Sequence, residues 1–339
     1  MSDVALLVVG LIVLIVGGEL FVRGAATTAA RFGVPPLLIG LTLVGFGTSL
    51  PELVTSIEAS MIGSPGIAIG NIVGSNIANV LLILGVAAAI SPIAVGPNAL
   101  RRDATLALLA AFAFTAVGFL LPFDRLVGLL FLASLAAYIY YAYRQETGGA
   151  PAGHTAAFEK GEAREELRRR DGTKAPRRPV SVRRRLVKLA ARLLPLILAV
   201  GGLAAIILGA RLLVGGAVGI ASAAGVSQAV IGLTVVAIGT SLPELVTSVI
   251  AALRGHSDVA FGNVIGSCIY NILGIGGTVA VIAPTEIPPE ILRFDCLVMV
   301  GVSALILILG RTGNRISRAE GAALVAGYAA YLYVVALAV

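Results

Sequence analysis

Apolar residues in this chain come in long, nearly unbroken runs, and the alternation of period two that marks strands is weak. A helix that crosses a bilayer needs about 20 such residues. Runs of that kind fall at 4–23, 36–62, 67–90, 103–121, 124–143, 193–214, 228–253, 259–282, 294–310 and 320–338. Between the fifth and the sixth lies a polar, charged stretch punctuated by Gly and Pro. The pattern predicts an all-α integral membrane protein of about ten transmembrane helices. It divides into a five-helix repeat at 1–143, a basic linker at 144–192 and a second five-helix repeat at 193–339. An outer-membrane barrel would need the missing alternation. The first run has neither a basic leader nor a clear cleavage site, so a retained span is expected rather than a signal peptide.

Composition agrees. Of 339 residues, 58% are hydrophobic and 13% charged, against about 45–50% and 25% for soluble domains. The mean hydropathy is +0.99. The net charge of +7 gathers mainly between Arg144 and Arg192, outside the apolar runs, which speaks against a nucleic-acid partner. With that linker in the cytoplasm, the inner ends of the spans carry Arg23, Arg31, Arg101, Arg102, Arg254, Arg311, Arg315 and Arg318. The outer ends carry only Arg125, Arg211 and Arg293, and this asymmetry places both termini outside a cell (inner) membrane. The linker is read as a solvated topology signal, or as a contact for anionic lipid. Cys268 and Cys296 both lie in or beside apolar segments, so packed thiols are expected, not a disulfide.

The two halves align at an offset of 192 residues without a gap. Gly40–Ile57 reads GLTLVGFGTSLPELVTSI and Gly232–Val249 reads GLTVVAIGTSLPELVTSV, with fourteen of eighteen positions identical. Downstream, GNIVGSNIAN at 70–79 matches GNVIGSCIYN at 262–271. Five spans is an odd number, so the second copy should enter the membrane from the opposite side. Inverted repeats of this kind place two related gates around a central site.

Each copy puts a helix-breaking glycine and proline near mid-span: Gly47 and Pro51, then Gly239 and Pro243. Irregular backbone at membrane depth is tolerated only inside protein or beside a wet cavity. The carbonyls near Gly45 and Ala237 are therefore candidate ligands. Glu52 and Glu244 follow the prolines, and an acid at mid-span costs about 2.5–3.5 kcal/mol. A bound cation would recover that cost. The plainer alternatives are a packing kink and a protonated glutamate bonded across helices. Thr48, Ser49, Thr240 and Ser241 stand within a turn of the glutamates. Ser75 and Asn79, like Ser267 and Asn271, share a helix face at a spacing of four. Such oxygen donors suit Ca2+ or Na+ rather than Zn2+.

At GTSLPE (47–52 and 239–244), GNIVGSN (70–76) and GNVIGSC (262–268), the chain resembles the sodium/calcium exchanger family of the cation/calcium antiporter superfamily, in its short prokaryotic form. The resemblance is strong over 36–90 and 228–282, and the span plan extends it over most of the chain. It implies a secondary antiporter moving Na+ inward and Ca2+ outward, with no cofactor and no enzymatic activity. Glu52 and Glu244 would be the main Ca2+ ligands. Thr48, Ser49, Ser75, Thr240, Ser241 and Ser267, with carbonyls near Gly45 and Ala237, would serve Na+. Asn79 and Asn271 would take the remaining corners, and an Asn at 271 argues against K+ co-transport. The first and sixth spans would form a sliding pair. Proton-driven exchange stays open within this architecture. A passive channel and an intramembrane serine protease are weaker readings; the protease lacks a base near Ser49 or Ser241, since His154 and His256 lie in or near loops.

Overall fold

A chain in lipid must satisfy its backbone hydrogen bonds within itself, and the apolar runs do so as helices. The computed structural model describes residues 2–34, 45–96, 99–147, 183–253, 255, 257–311 and 313–337. Helix α1 spans Asp3–Arg31. A 3-10 turn, Gly45–Ser49, leads into α2, Leu50–Met61. Then follow α3 (Pro65–Ile90), α4 (Leu100–Leu120), α5 (Arg125–Thr147) and α6 (Arg183–Ala224). One apolar run is bent by 47° into α7 (Gln228–Thr240) and α8 (Leu242–Leu253). Helix α9 begins as Ser257–Ile269 and continues through a π-helical turn to Ile282. Helices α10 (Ile291–Arg311) and α11 (Arg318–Leu337) complete the set.

Among the described residues, eight helices are long and apolar enough to cross a membrane, and the bent pair makes nine. The expected span 36–62 is described from Gly45 onward. Residues 148–182 of the linker, with His154, and also Arg254 and His256, lie outside the described residues. So do the lipid-contact and solvation readings placed on that part of the linker. Helices overrun the apolar runs in both halves: α1 continues to Arg31, and α6 starts at Arg183, inside the expected linker. Hydropathy marks where a helix meets lipid, whereas arginine and alanine favour helix well beyond that boundary.

Helices α3 and α9 form the centre, with 83% and 78% of their apolar windows buried, against 22–44% for the other single helices. Small residues let them approach their neighbours. A Cβ at Gly70 would lie 2.9 Å from the Ala229 carbonyl oxygen of α7, and one at Gly232 would lie 2.8 Å from the Ile67 Cα of α3. Helices α1 and α6 are packed even more closely, in opposite directions, on glycines seven residues apart. These are Gly10, Gly17 and Gly24 on α1, and Gly202, Gly209 and Gly216 on α6. A Cβ at Gly17 would meet Ile206 N at 2.7 Å, one at Gly209 would meet Leu14 N at 2.5 Å, and one at Gly216 would meet Leu7 N at 2.6 Å. The two stripes are themselves 192 residues apart, so the repeat reaches the first spans.

It reaches the fourth as well. Leu100-Arg101-x-Asp103 and Leu292-Arg293-x-Asp295 each fall at a π-helical turn opening a span. Tyr138 Oη donates to Asp103 at 3.2 Å, and Tyr331 Oη donates to Asp295 at 2.8 Å. Arg102 adds an ion pair to Asp103 at 2.9 Å, while the corresponding residue beside Asp295 is Phe294. On one face of the bundle, β1 (Ile93–Ala94) pairs antiparallel with β2 (Arg315–Ile316), tying a loop of the first half to a loop of the second. Cys268 and Cys296 are buried and not joined by a disulfide, as the sequence leads one to expect.

Candidate cation site

The breaks occur at equivalent residues. Ser49 and Ser241 leave helical geometry at φ/ψ of −89°/10° and −84°/5°. Pro51 and Pro243 lack the N–H that would otherwise bond to the carbonyls of Gly47 and Gly239. Each break therefore starts a new helix, and Glu52 and Glu244 fall in the first turns of α2 and α8. That position explains the proline–glutamate order. A carboxylate in the first turn is stabilised by the helix dipole, which offsets part of the cost of burying it.

Both glutamates are fully buried. They are bonded across the repeat: Ser49 Oγ donates to Glu244 Oε1 at 2.7 Å, and Ser241 Oγ donates to Glu52 Oε1 at 2.9 Å. Ser267 Oγ lies 3.4 Å from Glu244 Oε1. Thr240 Oγ1 donates to Asn71 Oδ1 at 3.0 Å, and Ser75 Oγ approaches the same oxygen at 3.5 Å. Helices α3 and α9 carry these partners into the centre. Their π-helical turns, Asn79–Leu84 and Tyr270–Gly276, widen the helix where Asn79 and Asn271 stand, and such turns recur at functional sites.

Asn71 and Asn263 were not singled out as site residues by the sequence reading. Asn71 Nδ2 donates to Ser56 Oγ at 2.9 Å and to the Glu52 carbonyl at 3.2 Å. Asn263 Nδ2 donates to Ser248 Oγ at 2.8 Å and to the Glu244 carbonyl at 3.3 Å. Each asparagine thus clamps the glutamate-bearing helix to the central helix of its own half. Their signal is the Gly-Asn pair that opens each downstream motif, at 70–71 and 262–263.

Other predicted positions sit differently. Thr48 Oγ1 and both polar atoms of the Asn79 and Asn271 amides are buried without a hydrogen-bond partner. An unmet buried polar group costs about 1–3 kcal/mol, a cost that a bound cation could offset at the two amides and the Thr48 hydroxyl. The Ala237 carbonyl accepts the Ser241 N–H at 3.1 Å and is approached by the Thr240 hydroxyl at 3.4 Å, so the break leaves that oxygen bonded. Gly45 opens the 3-10 turn. Beside it, Phe46 stacks on Tyr270 at 4.4 Å between ring centroids. Among the described residues there is no cluster of three His, Cys, Asp or Glu side chains, and the donors gathered here are all oxygens or amides. That chemistry fits a hard cation.

The family model for the sodium/calcium exchanger protein matches residues 2–144 and 194–337. The sodium/calcium exchanger MaX1 of Methanosarcina acetivorans is 37% identical over 339 residues, covering 97% of each chain. The inner membrane protein YrbG of Escherichia coli is 35% identical, covering 97% of this chain and 95% of its own. The solved structure of the sodium/calcium exchanger from Methanococcus jannaschii superposes with a TM-score of 0.58 at 31% identity, covering 96% of each chain. A structure of that exchanger soaked with Na+ and Sr2+ gives 0.58 at 32% identity, covering 99% of this chain and 97% of its own.

Proposed function

The chain belongs to the sodium/calcium exchanger family, and from that premise we propose that it is a secondary antiporter moving Na+ into the cell and Ca2+ out by alternating access. The observation that carries the reading is the reciprocal bonding of Ser49 to Glu244 and Ser241 to Glu52 inside a fully buried oxygen site. A site shared equally by two related halves can be opened from either half in turn. The relatives named as sodium/calcium exchangers support the choice of ions.

In this reading Glu52 and Glu244 ligate Ca2+, and their serine donors turn their hydroxyl protons away when the ion arrives. Thr48, Ser49, Ser75, Thr240, Ser241 and Ser267, with the Gly45 and Ala237 carbonyls, supply Na+ ligands. Asn79 and Asn271 close the remaining corners, their unmet amide oxygens supporting that assignment. Asn71 and Asn263 position the glutamate helices without touching the ion. The ten-span plan has its two halves inverted, both termini outside and the 144–192 linker in the cytoplasm, where anionic lipid can meet it. Impermeant thiol labelling tests that orientation: a cysteine at Ser2 should react from outside and one at Gly149 only from inside.

The decisive assay follows 45Ca2+ uptake into vesicles under an imposed Na+ gradient or an imposed pH gradient. Uptake driven by the outward Na+ gradient alone is expected. Uptake that follows the pH gradient and ignores Na+ would replace Na+ by H+ as the driving ion.

A further inference from the structure

The two halves are related closely enough that their differences can be read position by position. Helix α1 stands away from α8. Between them and the 3-10 turn is a cavity of about 520 Å³, lined by Gly18, Glu19, Arg23, Thr48, Leu242 and Val246 among others. The positions 192 residues away behave differently. Ala210, Leu50 and Val54, the counterparts of Gly18, Leu242 and Val246, pack together in one apolar cluster under α6. One approach to the centre is therefore roomy and the other is filled. Thr48, with its buried and unbonded hydroxyl, lies both in the wall of the cavity and among the site residues.

The roomy approach also holds charge. Glu19 and Arg23 pair at 2.6 Å across one turn of α1, and their side chains are 39% and 43% exposed. An exposed pair at this spacing adds little to helix stability, and both charged side chains line the cavity. The counterpart of Glu19 is Arg211, of opposite sign, paired with Glu58 at 3.3 Å. Charge in a low-dielectric cleft concentrates counter-ions. We propose that Glu19 is a cation-collecting residue of the vestibule by which Na+ and Ca2+ reach Thr48 from the α1–α8 side. Arg23 is its counter-charge and holds the carboxylate until an arriving cation competes for it. In the filled approach the matching position is Arg211, and the acid there, Glu58 of α2, is paired with it and only 17% exposed, against 39% for Glu19. The two faces of the exchanger thus differ in how strongly they draw in cations.

This inference rests on the antiport reading, and the test separates the two. Self-exchange of 45Ca2+ against Ca2+ in proteoliposomes of known orientation needs no driving ion. Its occurrence in the wild type tests the antiport reading, and the ratio of variant to wild type tests the vestibule. Ca2+ is varied on one face while the other is kept saturated. Glu19→Gln should raise the half-saturating Ca2+ several-fold on the vestibule face, because the attraction of a carboxylate for a divalent ion is lost there. Arg23→Gln should lower it on the same face. Glu19→Asp, which keeps the charge, should restore the wild-type value, and the opposite face should not move. A packing role for the pair would shift both variants in the same direction, or both faces alike. Either of those results, or no shift with Glu19→Gln, overturns the proposal.

Discussion

At the scale of single residues, the candidate site sorts into side chains bonded to the protein and side chains left unbonded. Asn71 and Asn263 each donate twice to the glutamate-bearing helix of their own half. Asn79 and Asn271 donate to nothing. Asn71→Ala or Asn263→Ala should therefore cost about 1–3 kcal/mol of stability, read as a lower thermal midpoint in detergent. Asn79→Ala and Asn271→Ala should leave that midpoint nearly unchanged and weaken ion binding instead. Glu52→Gln and Glu244→Gln should each abolish Ca2+ exchange while the protein still elutes as a single species. Brisk exchange in either would remove the shared two-carboxylate site. The glutamates and their serines were legible in the sequence because two identical ten-residue motifs forced a common explanation. The asparagine clamps were not, since an asparagine beside a glycine in an apolar helix reads equally well as packing. Glu19 was hidden by a different limit: hydropathy averages over a turn, and one acid near the end of a span looks like the edge of the membrane.

At the scale of elements, the positions of the helices followed from the apolar runs, but the ways they fit together did not. The seven-residue glycine stripes on α1 and α6 are visible as letters, yet only the close approach of the two backbones gives them meaning. The same holds for the π-helical turns, which no hydropathy pattern signals. The stripes make a sharp prediction. Gly17→Leu or Gly209→Leu should force α1 and α6 apart and cost about 1–3 kcal/mol from overpacking. Gly201→Leu and Gly215→Leu, on the same helix as Gly209 but with nothing within 4 Å of a Cβ, should be tolerated. Thermal unfolding of the four purified variants distinguishes them. Equal gains in all four would mean that helix propensity, not the interhelical contact, governs the glycines.

At the scale of the whole molecule, the proposed antiport predicts a coupling to membrane voltage from the count of buried charge. Two carboxylates make the centre about −2, one Ca2+ brings it to zero, and three Na+ would bring it to about +1. A 3:1 exchange then moves one charge per cycle, worth about 2.3 kcal/mol at 100 mV. Under a valinomycin-set potassium potential, Na+-driven Ca2+ movement should speed up or slow down with the sign of the potential. Rates blind to the potential would point to a 2:1 exchange. The crossed serine–glutamate bonds have a further consequence, for ancestry. Each half lends its hydroxyl to the carboxylate of the other, so neither half could ever have built this centre alone. If the present chain arose by duplication, the gene before it encoded a protein that worked as two identical copies inserted head to tail, and fusion only fixed their partnership. The trace of that history should still be functional: residues 1–147 and 183–339, made as separate chains in one cell, should reassemble a working exchanger, while either chain alone binds no ion.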